Sequence, residues 1–211
     1  MSLLKEHMAR ARQPILDSLD TPAARGSLKC LAWLIREDWE LNARDWTLPG
    51  FRAIAVYRFG AWVVQRPRSL HRSVLYRVYR TMFRYVRNQY GLELPVTATI
   101  GRRVLLGHQA GIVIHPNAVI GEECVIRHNV TIGGTTWERG DQAPTLGCRV
   151  SVACGVSIVG NVTIGDDATI GPNAVVLTSV PPNSSVFVSA PRMFTFAKSN
   201  ATRPLQVATA K

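Results

Sequence analysis

The sequence predicts a mainly β protein: a left-handed parallel β-helix of six-residue repeats, preceded by an α-helical N-terminal region. Three observations carry this. A branched aliphatic residue returns at every sixth position over most of the chain after Gly91, and a small or β-branched residue follows each one four places later. Before Gly91 the apolar residues fall at helical spacing instead. The expected organisation is a helical region over 1–90, a β-helix over 91–192 and a C-terminal tail over 193–211.

In the helical part, residues 51–65 form an apolar-periodic segment stopped by Arg66-Pro67-Arg68. Between Arg72 and Tyr90, Leu75, Val78, Tyr79, Met82 and Val86 make one stripe, and Arg77, Arg80, Arg84 and Arg87 make a second. Residues 65–90 contain no acid. That basic stripe reads either as a solvated helix face or as a surface that docks on anionic lipid or on a lipid-linked, phosphate-bearing substrate.

In the repeating part the anchors are Leu94, Ile100 and Leu106, then Ile114, Ile120, Ile126 and Ile132, then Leu146, Val152, Ile158, Ile164, Ile170 and Val176. The small residues run Ala98, Val104, Ala110, Ala118, Cys124, Val130, Thr136, Val150, Val156, Val162, Ala168, Ala174 and Val180. Each unit is a short strand and a turn, and three units close a coil that climbs by about 4.8 Å. The anchors point inward and the small residues fill the corners. Glycine after the anchor, as at 101, 107, 121, 147 and 165, is expected to supply backbone angles that other residues resist. Two irregularities interrupt the rhythm. The step from Leu106 to Ile114 is eight residues, and the step from Ile132 to Leu146 is fourteen, which ejects a loop over 133–145. Insertions in a solenoid collect where function is grafted.

Composition sets the outer bounds. With 211 residues, 46% apolar and 18% charged, the chain buries a core and is not a disordered polymer. Of the net charge of +11, residues 1–90 hold 16 Lys+Arg against 7 Asp+Glu, so the basic character belongs to the helices. Cys30, Cys124, Cys148 and Cys154 show no zinc spacing, and packing is the plain reading of them. The N-terminus lacks an apolar signal core, and no run approaches a membrane span. A cytoplasmic protein is expected, with contact at the inner membrane through the basic helix 72–90 left open.

Residues 100–114, Ile-Gly-Arg-Arg-Val-Leu-Leu-Gly-His-Gln-Ala-Gly-Ile-Val-Ile, resemble the signature of the serine acetyltransferases, as do Val130-Thr131-Ile132-Gly133-Gly134-Thr135 and Ser179-Val180-Pro181-Pro182-Asn183. The helical front matches through 49–54 and Tyr57-Arg58. The resemblance implies an acetyl-CoA-dependent O-acetyltransferase, assembled as a trimer or a hexamer with sites between neighbouring prisms. It implies His108 as general base, the role that suits a near-neutral imidazole. Glu93, where the family carries aspartate, would fix the tautomer. Gly134, Cys154, Pro172 and Arg192 fall at positions that line the path of acetyl-CoA, the co-substrate, although Cys154 reads equally as a packing residue. His128, His115, Arg139 and Asp141 are expected on the acceptor side.

Three departures stand out: Gly107 replaces an aspartate, Ala143 a histidine, and the acid of the pair is glutamate. Each removes a group that would help hold the serine head, and the glutamate with Ile-Gly-Arg-Arg after it resembles the polysaccharide, colanic-acid-type branch. The expected acceptor is accordingly a sugar hydroxyl of an exopolysaccharide or capsule precursor, with serine O-acetylation in cysteine biosynthesis as the alternative. His108, His128 and His115 also permit a zinc site like that of hexapeptide-fold carbonic anhydrases. The acetyltransferase motifs rank above it, so no metal is expected. No nucleic-acid motif accompanies the arginines, and no nucleic-acid partner is expected.

Overall fold

The computed structural model describes residues 27–108, 110–135 and 142–189. Helix α1 (Leu28–Leu41) starts at Ser27, whose hydroxyl accepts from the Lys29 N–H. Helix α2 (Pro49–Val64) begins on proline, which suits the first turn, where the N–H has no partner. Helix α3 (Leu70–Tyr90) is capped by the Ser69 hydroxyl and ends at Gly91. There the left-handed φ of 65° lets the Gly91 N–H donate to the Arg87 carbonyl. The apolar stripe expected on α3 is split: Tyr79 and Val86 are buried, whereas Val78 and Met82 face outward.

Among the described residues, fourteen short strands follow in three parallel sheets. Sheet A stacks β1 (Leu92–Glu93), β4 (Ile112–Ile114), β7 (Thr131–Gly133), β10 (Ser157–Val159) and β13 (Val175–Val176). Sheet B stacks β2 (Thr99–Ile100), β5 (Val119–Ile120), β8 (Thr145–Leu146) and β11 (Thr163–Ile164). Sheet C stacks β3 (Leu105–Leu106), β6 (Val125–Ile126), β9 (Ser151–Val152), β12 (Thr169–Ile170) and β14 (Ser185–Val186). Every third strand pairs, as a triangular coil of three units requires. Ile120, Ile126, Ile132, Leu146, Ile158, Ile164 and Ile170 are fully buried inside the prism. Each such side chain is stabilising by about 1.5–3 kcal/mol, and their alignment makes one continuous core.

The registers show how each insertion is absorbed. Leu106 pairs with Ile126, Ile126 with Val152 and Val152 with Ile170, so successive coils hold 20, 26 and 18 residues. The two extra residues of the first coil lie just after β3, in the corner before β4. They move the corner slot: buried Ile112 fills it, and Ala110, expected there, is exposed. Val180 likewise pairs with Ile164 as an anchor, not as a corner residue. Thr136 lies outside the described residues.

The glycines after the anchors serve a different purpose from the one expected. Positive φ falls instead three residues past the anchor, on Arg103, Glu123, Asn129, Arg149, Asp167, Asn173 and Asn183. At Gly101, Gly121, Gly147 and Gly165 the limit is space. A Cβ on Gly101 would stand 2.6 Å from the Gly121 carbonyl carbon, and one on Gly121 would strike the Gly147 carbonyl. The coils touch backbone to backbone along that edge.

The helices close the first coil. Tyr57 and Arg58, on α2, reach β2, the outer strand of sheet B, whose outward backbone groups have no neighbouring strand. The Tyr57 hydroxyl donates to the Ala98 carbonyl at 2.7 Å and accepts from the Ile100 N–H at 3.0 Å. Arg58 donates to the Ile100 and Gly101 carbonyls at 2.9 and 2.6 Å, and its Nε donates to the Asp38 carboxylate at 2.9 Å. Both ends of the Asp38–Arg58 pair are buried. Burial raises the Asp38 carboxyl above its ordinary range, against the pull of Arg58.

Candidate active site

The registers of sheet C decide which candidate residues meet. His108, His128, Cys154 and Pro172 each lie two residues beyond an anchor of that sheet, and those anchors are mutually paired. The four therefore form one column along the edge where sheet C turns into sheet A. Backbone bonds step down it: the Gly155 N–H donates to the His128 carbonyl, and the Asn173 N–H to the Cys154 carbonyl. Spacing along the column is about one strand separation, 4.8 Å.

At its head, the His108 and His128 rings meet edge to face, with centroids 5.9 Å apart and planes at 88°. His108 sits in the two-residue expansion with φ of 55°, a conformation non-glycine residues hold only when the surroundings enforce it. Its side chain is exposed, whereas His128 is half-buried with Nδ1 out of solvent and without a hydrogen-bond partner. Gly107, beside His108, has open space where a Cβ would be, with Arg127 the nearest side chain. Going down the column the side chains shrink to Cys154, half-buried, and Pro172, exposed.

Glu93 stands on β1 in sheet A, opposite Val113, with its side chain half-buried. Among the described residues it makes no hydrogen bond or ion pair with either histidine.

His115 and Gly134 belong to a different edge, where sheet A turns into sheet B. The His115 Nδ1 accepts the Asn117 N–H at 3.1 Å, which leaves the ring proton of the neutral form on Nε2. That Nε2 faces Gly134, where an added Cβ would come within 3.6 Å of it and 3.0 Å of the Gln142 carbonyl. The width of sheet A separates this edge from the His108 column, roughly 10 Å for a three-residue strand. The three histidines do not converge, and among the described residues no group of three His, Cys, Asp or Glu side chains is arranged to hold a metal. Arg139, Asp141 and Arg192 lie outside the described residues. Buried Cys124 is a packing residue: its thiol donates to the Gly147 carbonyl at 3.1 Å, and burial pushes its pKa up to about 12.

Two features escaped the reading of the residues. Gly111 takes a φ of 64° opposite Asn129, closing the expanded turn that carries His108. Its signal was the eight-residue step itself, with glycines at 107 and 111. The other is the role of Tyr57 and Arg58 at the edge of β2, which no periodicity announces.

Comparison with known proteins places this geometry. Residues 143–178 match the model of the bacterial transferase hexapeptide (six repeats). The serine acetyltransferase of Helicobacter pylori strain 26695 is 35% identical over 160 residues, covering 76% of this chain and 88% of that protein. The chain belongs to the serine acetyltransferase family. The Mycobacterium tuberculosis serine acetyltransferase is 36% identical, and the match covers 68% of this chain and 59% of that one. Among solved structures, Neisseria gonorrhoeae serine acetyltransferase in complex with serine superimposes with a TM-score of 0.63 at 27% identity, over 80% of this chain and 70% of that chain. The three parallel sheets are thus a left-handed β-helix, and the chain is an acetyl-CoA-dependent acyltransferase of this family. The expected polysaccharide branch is corrected by these relatives, which are serine acetyltransferases.

Proposed function

We propose that this chain transfers the acetyl group of acetyl-CoA to the hydroxyl of serine, releasing CoA and O-acetylserine. One observation supports the reading most: the exposed His108 imidazole, paired edge to face with His128, heads a column that continues into Cys154 and Pro172. In this reading His108 takes the hydroxyl proton as the oxygen attacks the thioester carbonyl, and returns it to the departing thiolate. Glu93 is the counter-charge to the imidazolium. His128 orients the acceptor, and Cys154 and Pro172 leave room for the pantetheine arm. His115 and Gly134 belong to the second edge, and in this reading they act on the acceptor together with Arg139 and Asp141 of the inserted sequence 133–145. They complete a site only beside the His108 column of a neighbouring prism, so the working unit is a trimer or a pair of trimers. Arg192 meets the CoA phosphates, and the enzyme works in the cytoplasm.

A sugar hydroxyl is the second reading, and one observation favours it. Where the resemblance expects an aspartate and a histidine toward the amino acid, this chain has Gly107 and the buried Ala143, neither of which reaches an acceptor. An acetyl-CoA consumption assay offering serine beside nucleotide sugars and oligosaccharide precursors separates the two. Serine-dependent release of CoA is expected; release with a sugar alone would overturn the first reading.

A further inference from the structure

Helix α3 presents two exposed stripes that acetyl transfer does not use. Leu70, Val74, Val78, Met82 and Tyr85 follow one another at three- and four-residue steps, and each is between 42% and 81% exposed. Arg77, Arg80, Arg84 and Arg87 form the neighbouring stripe. The third face, with Tyr79 and Val86, packs on the rest of the protein. The apolar stripe runs at Met82 and Tyr85 into an open cleft of about 750 Å³ between the helices, whose rim carries the exposed Trp46.

The arginines have no acidic partner. Arg87 donates to the Asn88 side chain and lies over the Phe83 ring, and among the described residues Arg77, Arg80 and Arg84 make no ion pair. Residues 65–90 hold seven arginines and no aspartate, glutamate or lysine. Elsewhere among the described residues several surface cations are paired, as in Arg102–Glu37, Arg103–Glu123 and Arg149–Asp167. Among those residues Arg44 and Arg127 also make no ion pair but stand singly, whereas α3 sets its arginines in one stripe.

We propose that the exposed half of α3 docks on an anionic lipid bilayer, lying in the plane of the headgroups. The helix is 21 residues, about 30 Å long, and among the described residues no helix is long and apolar enough to cross a membrane. Flat docking uses both stripes at once. The aliphatic side chains enter the boundary with the acyl chains, Tyr85 and Trp46 take the headgroup level, and the guanidinium groups bind lipid phosphates. A second copy of α3 is a poor occupant, because a two-fold contact sets arginines against arginines with no acid between them. A nucleic acid would satisfy the arginines and leave the aliphatic stripe in water. The inference rests on α3 and the adjoining Trp46, and stands whichever acceptor the enzyme uses.

The test is co-sedimentation of the full chain with vesicles of phosphatidylcholine alone and of phosphatidylcholine with phosphatidylglycerol in equal parts. Binding is expected on the anionic vesicles only, weakening as salt rises. The triple substitution Arg77→Ala, Arg80→Ala, Arg84→Ala should lower the partition roughly 10²-fold, at about fivefold per arginine. Val74→Ser with Val78→Ser should remove the fraction that survives high salt. Circular dichroism on both variants confirms that α3 is intact. Equal binding to neutral and anionic vesicles, no binding, or full binding by the arginine variant would overturn the proposal. So would a change in particle mass of the arginine variant by light scattering, which would make the face a contact between copies.

Discussion

Replacing Tyr57 by phenylalanine isolates the closure of the first coil. The substitution keeps the ring and its packing and removes one hydroxyl, which bridges the Ala98 carbonyl and the Ile100 N–H in a buried setting. Both backbone groups then lose their partner on the outward side of β2. At about 1–1.5 kcal/mol for each group left unpaired, the loss is roughly 2–3 kcal/mol. For a chain of this size that corresponds to a fall in melting temperature of roughly 4–12 °C. Arg58→Met should cost more, about 3–5 kcal/mol, because it strands the buried Asp38 carboxylate and also frees two carbonyls. Thermal melts followed by fluorescence at one fixed protein concentration measure both. A Tyr57→Phe protein that melts within a degree of the parent would refute the reasoning: the edge of β2 would then be satisfied by something other than this hydroxyl.

Further expectations address other links. Gly121→Ala puts a Cβ into the Gly147 carbonyl, so one coil has to shift, and chemical denaturation should show a loss of at least about 2 kcal/mol. Asp38→Asn bears on pH. The folded pKa of Asp38 lies above the ordinary 3.8, so ionising it in the fold removes stability as pH rises from that value through the folded pKa. The asparagine variant should lose that slope, and melts across the acid range would show it. His108→Ala should lower turnover roughly 10²–10⁴-fold, Glu93→Gln less, and His128→Ala should raise the acceptor KM more than it lowers kcat. Steady-state CoA release reads all three, and a folded His108→Ala enzyme with near-normal turnover would remove the assigned base.

The prism was legible because its physics is periodic. An inward aliphatic residue at every sixth place needs no tertiary information, and the anchors from Leu94 to Val176 all point inward as read. Legibility failed where the period broke. Two extra residues after Leu106 moved the corner from Ala110 to Ile112, a shift seen only once Leu106 is paired with Ile126. The meaning of the glycines was hidden for a similar reason: contact between Gly101 and Gly121 belongs to adjacent coils, not to the local chain. For the candidate site, the shared column of His108 and His128 followed from equal offsets, and the rings do meet. The removal of His115 to another edge did not, because it depends on which side of sheet A a residue leaves. The backbone groups that Tyr57 and Arg58 hold along β2 lie more than 40 residues away in sequence, in an element of another kind.

A parallel β-helix has the cross-section of a filament. Its two ends carry complementary rows of backbone donors and acceptors, so copies stacked head to tail would satisfy each other without limit. A flat first coil would be a template for such polymerisation. In this protein α2 sits on that coil, and Tyr57 and Arg58 already occupy the carbonyls of Ala98, Ile100 and Gly101 and the N–H of Ile100. Head-to-tail growth needs both ends open, and one is plugged from within the same chain. The helical front therefore protects solubility: by blocking one end it turns what would be a growing fibre into a particle of finite length.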